Sequence, residues 1–436
     1  MVDADPEGNP PLTRPTRASA RPWAPRVSWG ADPRTTATIS WSTEGPVADP
    51  AVEIVAIGGG ARRLVRAETR LAPGWEVHYH HALVEGLEPA TTYRYRCHPG
   101  VTAGGTLRTA PAGAGAFSFA ASGDQGTDAR ARAVLGLLQA SDPAFVFCLG
   151  DLCYADPSGG LLPRAGVDHA VWDRWLGMFS RAVAAGAALL PVVGNHEIES
   201  GMGDWGYDGF LARFSLPPGG VPGLPTTWVG RWGNLALVAA DSNDVSTEIT
   251  LNNGLSGGRQ DRWLEETLAG LRADPTVDWI VVGFHHSAYC TNSLHGSDGG
   301  VRRWGPIFDR HEVDLVLNGH NHCYERTHPM RAGMAVTEVR SGQARWVEGA
   351  VTYLCAGGGG GQTGFPMWRQ AVSTVTGEGG VRQSELAPWS AYRYNGHSLV
   401  LVDVSPPAAD TTTALTIRAL DAAGSELERV TLLRRR

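Results

Sequence analysis

The sequence predicts an α/β protein in which a small all-β sandwich is followed by a domain of alternating strands and helices, with a β segment at the C-terminus. Three observations predict it. Short runs of alternating apolar and polar residues fill positions 22–110, a strand-to-helix alternation begins near position 117, and strand patterns return after five consecutive glycines at 357–361. The length of 436 residues also favours more than one domain.

The first domain, predicted at 22–110, rests on runs such as ATISWST, VEIVAI and TYRYRCH, which Gly, Pro and Asp clusters separate. Trp29 and Trp41 lie in it, and aromatic residues in such strands are more often core residues than a ligand platform. Residues 1–21 are Pro-rich and polar without a period, which is typical of a disordered or surface arm. We expect the sandwich to have a structural role.

The second domain, predicted at 115–436, opens with the buried strand pattern FSFAASGD and the helical pattern DARARAVLGLLQA. Strand patterns recur in AFVFCLGD, LLPVVGNHE, LALVAADS, DWIVVGFHH and VDLVLNGH, and GRQDRWLEETLAGLR is a helix candidate between two of them. The later runs YNGHSLVLVDV and TALTIRALDAAGSELERVTLL predict strands that complete a sheet. The alternation indicates an α/β domain of the catalytic type.

Composition excludes several classes of function. A net charge of -7 argues against a nucleic-acid scaffold and against an anionic membrane as partner. All 37 basic residues are Arg, which excludes Schiff-base chemistry and a P-loop lysine. The six cysteines form no paired CxxC framework, so we expect reduced thiols.

The N-terminal segment lacks the apolar stretch of a signal peptide, and the longest small or apolar stretch, 182–194, is too short to span a bilayer. We therefore expect a cytoplasmic protein as the sequence is written. The alternative is a secreted protein whose signal is absent from this sequence. The oligomeric state is not predicted.

Five of the predicted strands end in a polar cluster. In open α/β sheets this edge is where ligands bind, because successive loops converge there. Together the clusters offer carboxylate, imidazole, amide and phenol groups, which suit iron, zinc or manganese in a catalytic metal pair. The clusters are GDQG at 123–126, GDLCY at 150–154, GNHE at 194–197, HH at 285–286 and GHNH at 319–322.

In this order the motifs GDxG, GDxxY, GNHE, VxxH and GHxH resemble the signature of purple acid phosphatases within the calcineurin-like metallophosphoesterases. The N-terminal region with LEPATTYRYR is similar to the fibronectin-III-like domain of the larger members. The resemblance implies a fibronectin-like sandwich before an αββα metallophosphoesterase sandwich. It also implies a dinuclear centre of Fe(III) with Zn, Fe(II) or Mn(II).

The resemblance implies that Asp151 bridges the two ions. Asp151 and Tyr154 are three apart, so we expect a helical turn that places both on one face, and an extended backbone at His320 and His322 would let each reach one metal. The VxxH spacing selects His285 over His286. The ferric ligands implied are Asp124, Asp151, Tyr154 and His322, and the divalent-ion ligands are Asp151, Asn195, His285 and His320.

His196 and His295 match family positions that contact the phosphate or donate a proton, and imidazoles titrating near neutrality suit that task. We expect His286 to support the ligands or contact the substrate. Other residues are interpreted as packing partners that orient the histidines: Glu197, Tyr324, Glu325 and Arg326. Cys153 and Cys323 lie beside two motifs and are interpreted as packing thiols.

The activity implied is release of phosphate from a small phosphomonoester by attack of a metal-bound hydroxide. One alternative is a phosphodiesterase that uses the same metals. Another is a non-catalytic binding protein in which the sandwich is the active module. The loops at 155–167, 201–207 and 217–227 should decide the substrate, but their Trp, Gly and Pro residues give no recognition code.

Overall fold

The computed structural model describes residues 20–100, 103–158, 166–365, 367, 372–409 and 411–435. Most of the predicted arm at 1–21 lies outside these residues. The N-terminal domain contains two four-stranded antiparallel sheets, with strand orders β1-β2-β6-β5 and β4-β3-β7-β8. Their strands are β1 (Trp23–Trp29), β2 (Ala37–Thr43), β3 (Ala51–Ala56), β4 (Arg63–Arg66), β5 (Glu68–Leu71), β6 (His78–Val84), β7 (Thr92–His98) and β8 (Gly104–Arg108).

The two sheets face each other across a core built from the alternate residues that point inward from each strand. The pattern is clear in β7, where exposed Arg94 and Arg96 alternate with buried Tyr93 and Tyr95. Trp41 is fully buried at the centre of this core. The predicted all-β sandwich is confirmed.

The second domain begins with parallel strands and helices and ends with long antiparallel strands. Its helices are α1 (Ala129–Ser141), α2 (His169–Ala182), α3 (Asp208–Arg213), α4 (Arg259–Ala273) and α5 (Gly305–Arg310). Its strands up to the last motif are β9 (Phe117–Ser122), β10 (Phe145–Leu149), β11 (Ala188–Val192), β12 (Trp228–Trp232), β13 (Leu235–Ala239), β14 (Trp279–Gly283), β15 (Ser297–Asp298) and β16 (Leu315–Asn318). The remaining strands are β17 (Tyr324–Thr327), β18 (Met330–Arg331), β19 (Met334–Ala335), β20 (Ala344–Trp346), β21 (Thr352–Ala356), β22 (Val372–Thr376), β23 (Arg382–Leu386), β24 (Ser390–Tyr394), β25 (Ser398–Ser405), β26 (Thr412–Asp421) and β27 (Glu426–Arg435).

Two seven-stranded sheets pack face to face in this domain, with orders β11-β10-β9-β25-β26-β27-β20 and β12-β13-β14-β16-β21-β17-β24. Central strands such as β10 and β14 are buried on both faces, which explains their continuous apolar sequences. Helices α1 and α2 cover the outside of the first sheet, and α4 and α5 cover the second. The result is the predicted αββα sandwich, and β25–β27 complete its first sheet as expected.

The close approach of the two sheets depends on Gly283 at the end of β14. A Cβ at this position would overlap the ring of Phe147 on β10. The strand therefore has no side chain where the Phe147 ring of the facing sheet packs against it. Within the described residues, no helix is both long enough and apolar enough to cross a membrane.

Trp29 joins the two domains. It is 2% exposed, and its indole stacks on Trp232 with ring centroids 5.8 Å apart and meets Phe145 edge-on at 4.7 Å. Nearby, the Arg26 guanidinium donates to the Arg213 carbonyl across the same boundary. Trp29 is thus a buried packing residue as predicted, but its partners belong to the second domain rather than to the sandwich.

Replacing Trp29 by Ala should lower the free energy of unfolding by about 3–5 kcal/mol, because a large buried ring is removed from a filled interface. Chemical denaturation followed by fluorescence measures the change. Trp346→Ala is a matched control, since Trp346 is 43% exposed and its ring contacts Arg435. The control should lose no more than about 1 kcal/mol. Equal losses in the two variants would contradict an interface role for Trp29.

A buried ion pair links the two large sheets. Arg326 on β17 donates from Nε to Glu428 Oε2 at 3.0 Å and from Nη2 to Oε1 at 2.5 Å, and Tyr324 Oη donates to the same carboxylate at 2.7 Å. Arg326 and Tyr324 are fully buried and Glu428 is 1% exposed. Tyr324 and Arg326 are buried packing residues as interpreted, but the expectation that they orient the metal-site histidines is wrong, because their partner lies on β27.

Candidate metal centre

The five polar clusters follow the carboxyl ends of β9, β10, β11, β14 and β16, and the fold brings them to one edge between the two sheets. The backbone there is unusual. Asp124, Asp151, Tyr154 and His320 all have positive φ, of 57°, 50°, 58° and 71°. The helical turn expected at 151–154 and the extended backbone expected at 320–322 are therefore both wrong, although the side chains still converge.

The first group of side chains contains Asp124, Tyr154 and His322. Tyr154 Oη lies 3.1 Å from His322 Nε2 and 3.4 Å from Asp124 Oδ1, and His322 Nε2 lies 3.5 Å from Asp124 Oδ1. Ligands around an ion with bonds of about 2.0–2.2 Å are separated by roughly 3.0–3.5 Å. The three atoms therefore match the spacing of one metal site.

The second group contains the other predicted ligands. His285 Nε2 is at its centre, 3.2 Å from Asp151 Oδ2, 3.2 Å from Asn195 Oδ1 and 3.2 Å from His320 Nδ1. His285 Nδ1 lies 2.7 Å from the Leu149 carbonyl, to which it donates, so Nε2 is the ring nitrogen that can bind a metal. Four potential ligand atoms thus converge on one point.

The electrostatics of these groups also favour a cation. Burial raises the pKa of Asp124 well above its ordinary value. Burial opposes protonation of His285, but the Asp151 carboxylate outweighs it and raises the pKa of His285 to about 10. Both shifts indicate that the buried carboxylates of Asp124 and Asp151 would be stabilised by nearby positive charge. Bound metal ions would supply that charge. The residues present fit a pair of metal ions.

Glu197 holds the backbone that carries Asp151. Its Oε2 accepts from the amides of Asp151 at 2.8 Å and Gly194 at 2.7 Å, and its Oε1 accepts from Leu152 at 2.9 Å. Gly194 lies so close that a Cβ there would overlap the Asp151 carboxylate. Glu197 thus orients a predicted ligand, although through its backbone and not through a histidine.

The five-glycine run at 357–361 follows β21 and packs against two of the metal loops. A Cβ at Gly359 would overlap the carbonyl oxygen of Gly123, and a Cβ at Gly360 would overlap that of Gln125. The loop that carries Asp124 therefore lies directly against glycine backbone.

His196 lies beside the first group. Its Nδ1 donates to the Asp156 carbonyl at 2.8 Å, its Nε2 is 3.9 Å from Asp151 Oδ2, and its ring meets that of Tyr154 edge-on at 4.5 Å. The side chain is 17% exposed, so it borders both the metal groups and solvent. This position is compatible with contact to a substrate.

His295 lies beside the second group, with its ring stacked on that of His320 at 3.8 Å. Its Nδ1 is 2.8 Å from Glu248 Oε1, and the side chain is 25% exposed. Glu248 also lies 3.1 Å from His320 Nε2. Glu248 is not among the residues predicted from the sequence, since it lies after β13 and belongs to none of the five motifs.

His286 is fully buried and does not join the converging ligand atoms. Its Nδ1 lies 2.8 Å from Ser242 Oγ, and its ring packs 4.5 Å from that of His320. Burial lowers the pKa of His286 to about 3, so the ring is neutral. The geometry favours His285 as the ligand and leaves His286 as a support for His320.

All six cysteines are buried free thiols, as expected. Three of them, Cys290, Cys323 and Cys355, pack together below the GHNH loop, with 3.7 Å between the sulfurs of Cys290 and Cys323. Glu325 accepts from the Cys290 thiol and from the Thr291 amide at 2.7 Å, so it supports this cluster. Cys153 is 3% exposed in the core beneath α2.

A cleft of about 440 Å³ opens beside the first group. Its lining includes Tyr154 and His322 of the first group, together with Arg130 and Gln362. Its volume is within the range of small-molecule sites. A phosphorylated compound of modest size can therefore approach the candidate metals from this side.

Comparison with known proteins agrees with this geometry. Residues 98–324 match the calcineurin-like phosphoesterase family, and residues 22–111 match the purple acid phosphatase N-terminal domain. An uncharacterized protein of Mycobacterium tuberculosis is 32% identical over 440 residues, covering 89% of this chain and 82% of that protein. Purple acid phosphatase 23 of Arabidopsis thaliana is 28% identical over 276 residues, covering 57% of each chain.

Among solved structures, a purple acid phosphatase from yellow lupin (Lupinus luteus) seeds has the same fold, with a TM-score of 0.73 and 17% identity over 95% of this chain and 74% of that chain. The similarity supports a sandwich followed by an α/β phosphoesterase domain. The matched families and the Arabidopsis relative confirm the predicted resemblance and the prediction of a phosphatase. The chain belongs to the calcineurin-like phosphoesterase family, as a metal-dependent phosphatase of the purple acid phosphatase type.

Proposed function

We propose that this protein releases phosphate from small phosphomonoesters at a dinuclear centre, with Fe(III) in the first group and a divalent ion, Zn, Fe(II) or Mn(II), in the second. The observation that carries the proposal is the convergence of two sets of potential ligand atoms at one sheet edge, the first around Tyr154 Oη and the second around His285 Nε2. In this proposal Asp151 bridges the two ions. The phenol of Tyr154 is in the first set, and a hard phenolate oxygen stabilises a trivalent ion.

When bound, the two cations would activate a water molecule and attract the oxygens of the phosphate group. The chain holds the ligands in place for this chemistry. The Leu149 carbonyl fixes the His285 ring, and Glu197 fixes the amides around Asp151. These contacts exist before substrate binds, so little reorganisation is needed during the reaction.

His196 lies beside Tyr154 of the first group and His295 beside His320 of the second, and each uses Nδ1 for a contact within the protein. His196 donates from Nδ1 to the Asp156 carbonyl, and His295 donates from Nδ1 to Glu248. Nε2 of each ring is then available to the substrate. In the proposed reaction, one imidazole hydrogen-bonds the phosphate oxygens, and one protonates the departing alkoxide.

Replacing Tyr154 by Phe in the iron-loaded protein should remove the visible phenolate-to-iron(III) charge-transfer band, because the variant lacks the hydroxyl that lies 3.1 Å from His322 Nε2. Absorption spectroscopy together with elemental analysis measures the band and the metal content. Tyr392→Phe makes the same chemical change on β24, away from the ligands, and should retain the band. A purple Tyr154→Phe variant would refute the ferric-site assignment.

Replacing His196 or His295 by Ala should lower kcat for a phosphomonoester by about 10²-fold, since general acid–base groups contribute roughly 10² to 10⁴ in rate. Metal content should stay at the wild-type value, because neither ring is one of the seven proposed metal ligands. Steady-state kinetics over monoester and diester substrates test the activity and its class. Wild-type turnover that strongly favours diesters would replace the proposed monoesterase with a phosphodiesterase.

A further inference from the structure

Glu248 reaches the metal centre from outside the five motifs. Its Oε2 lies 3.1 Å from His320 Nε2 and its Oε1 lies 2.8 Å from His295 Nδ1. The side chain is 17% exposed. One carboxylate therefore contacts both a proposed metal ligand and a proposed acid–base residue, with a separate oxygen for each.

The contact to His320 determines which ring nitrogen carries hydrogen. Nδ1 of His320 lies 3.2 Å from His285 Nε2, within the second ligand group, and is the nitrogen that can bind a metal. Nε2 must then be the N–H that donates to Glu248. A carboxylate behind a metal-binding histidine fixes the tautomer and the ring orientation and makes the ligand more basic.

The contact with Glu248 also determines which ring nitrogen of His295 carries hydrogen. Nδ1–H donates to Glu248, so Nε2 is the nitrogen that can face a phosphate group. The ring stacks on His320 at an interplanar angle of 26°. Glu248 therefore fixes two adjacent, nearly parallel imidazoles, one from the metal site and one from its rim.

Both loops that meet at Glu248 are anchored. The Asp298 carboxylate accepts from the Thr247 amide at 3.1 Å, from the Thr247 hydroxyl at 2.9 Å and from the Glu248 amide at 3.3 Å. On the other side, Asn321 Oδ1 accepts from the His295 amide at 3.2 Å. Asn321 lies between the two predicted ligand histidines of the GHNH motif, so this motif also holds the His295 loop.

We propose that Glu248 is a positioning residue that couples the divalent-metal ligand His320 to the acid–base residue His295. The proposal rests on the proposed function for the role of His295. Its contribution to the metal site is independent of which phosphate ester is hydrolysed. A carboxylate is required because it accepts one N–H on each oxygen, whereas an amide offers a single acceptor oxygen.

The first test measures zinc binding without turnover. Iron-loaded protein depleted of divalent metal is titrated with Zn²⁺ in a calorimeter. Glu248→Gln should bind Zn²⁺ about 10–100-fold more weakly than wild type, the usual effect of losing a partner of a metal ligand. Glu266→Gln, the same charge change on the exposed face of α4, should match wild type. Wild-type affinity in Glu248→Gln, or an equal loss in Glu266→Gln, would overturn the metal-site role.

The second test measures kcat at saturating Zn²⁺, where weaker binding no longer matters. Glu248→Gln should lower kcat about 10-fold in the wild-type background and have no further effect in a His295→Ala background. An additive loss in the double variant would overturn the coupling to His295. Glu248→Asp keeps the charge but is one methylene shorter, so it should show the same losses and replaces the Gln variant if that protein does not fold. An inactive wild-type protein would refute the proposed function while leaving the zinc titration valid.

Discussion

Replacing Asp151 by Asn should reduce phosphate release by more than about 10⁴-fold, which exceeds the contribution of a single acid–base group. Asp151 Oδ2 lies 3.2 Å from His285 Nε2 in the second group, and Asp151 Oδ1 accepts from the His196 amide at 2.9 Å. In the proposed centre Asp151 would hold both cations, so the substitution would remove the negative charge that they would share. Elemental analysis should show loss of the divalent ion, and single-turnover assays should show loss of activity.

Asp403→Asn is a matched control for this experiment. Asp403 lies on β25 opposite Ser118, at the start of β9, whereas the metal loops follow the other end of that strand. It forms a partly exposed ion pair with Arg418, and such pairs contribute only about 0–1 kcal/mol to stability. The control should retain both metals and its activity. An Asp151→Asn variant with full metal content and wild-type kcat would refute the bridging assignment.

Replacing Glu428 by Gln should lower the free energy of unfolding by about 3–5 kcal/mol, because the Arg326 guanidinium would remain buried without its counter-charge. Few other single substitutions are expected to destabilise the fold as much. The pair connects β17 of one sheet to β27 of the other, so its loss should weaken the packing of the two sheets. Denaturant unfolding at equilibrium measures the effect.

Two further variants test that explanation. Glu426→Gln removes one partner of an exposed ion pair with Arg429 on the same strand, where a change below about 1 kcal/mol is expected. Replacing Arg326 by Met and Glu428 by Leu together should cost less than Glu428→Gln alone, because no unpaired charge remains. A double variant less stable than the single one would show that the ion pair itself is the main source of stability.

Much of the fold could be predicted because the strands of the sandwich, the buried strands of the second domain and its helices each have a distinct spacing of apolar residues. Strands such as β10 and β14 are apolar on both faces, and the polar residues that follow them mark the sheet edge. The clusters that contain Asp124 and His285 could be located in this way, and the resemblance to the VxxH motif then selected His285 over His286. The backbone conformation at Asp151 and His320 could not be predicted. Both residues have positive φ, which tertiary contacts impose and which neither motif spacing nor composition indicates.

The residues that support the site were harder to predict. Glu248 belongs to no motif, and its contact with His320 depends on how Asp298 captures the loop after β13. Trp29 was predicted as core from its position in a strand, but local patterns do not specify which domain a buried face packs against. The sequence therefore predicts reactive side chains at strand ends more readily than side chains whose role depends on contacts with residues far away in the chain.

The glycine run at 357–361 has a consequence for how the sequence of this protein can change over evolutionary time. Gly359 and Gly360 bear no chemical group, yet even one added methyl would collide with the carbonyl oxygens of Gly123 and Gln125. Amino-acid substitution at these two positions should therefore be as rare as substitution of a catalytic residue. A comparison of the sequences of related proteins should find these glycines invariant. The reason would be the close packing of the metal loops against them and not a role in the reaction.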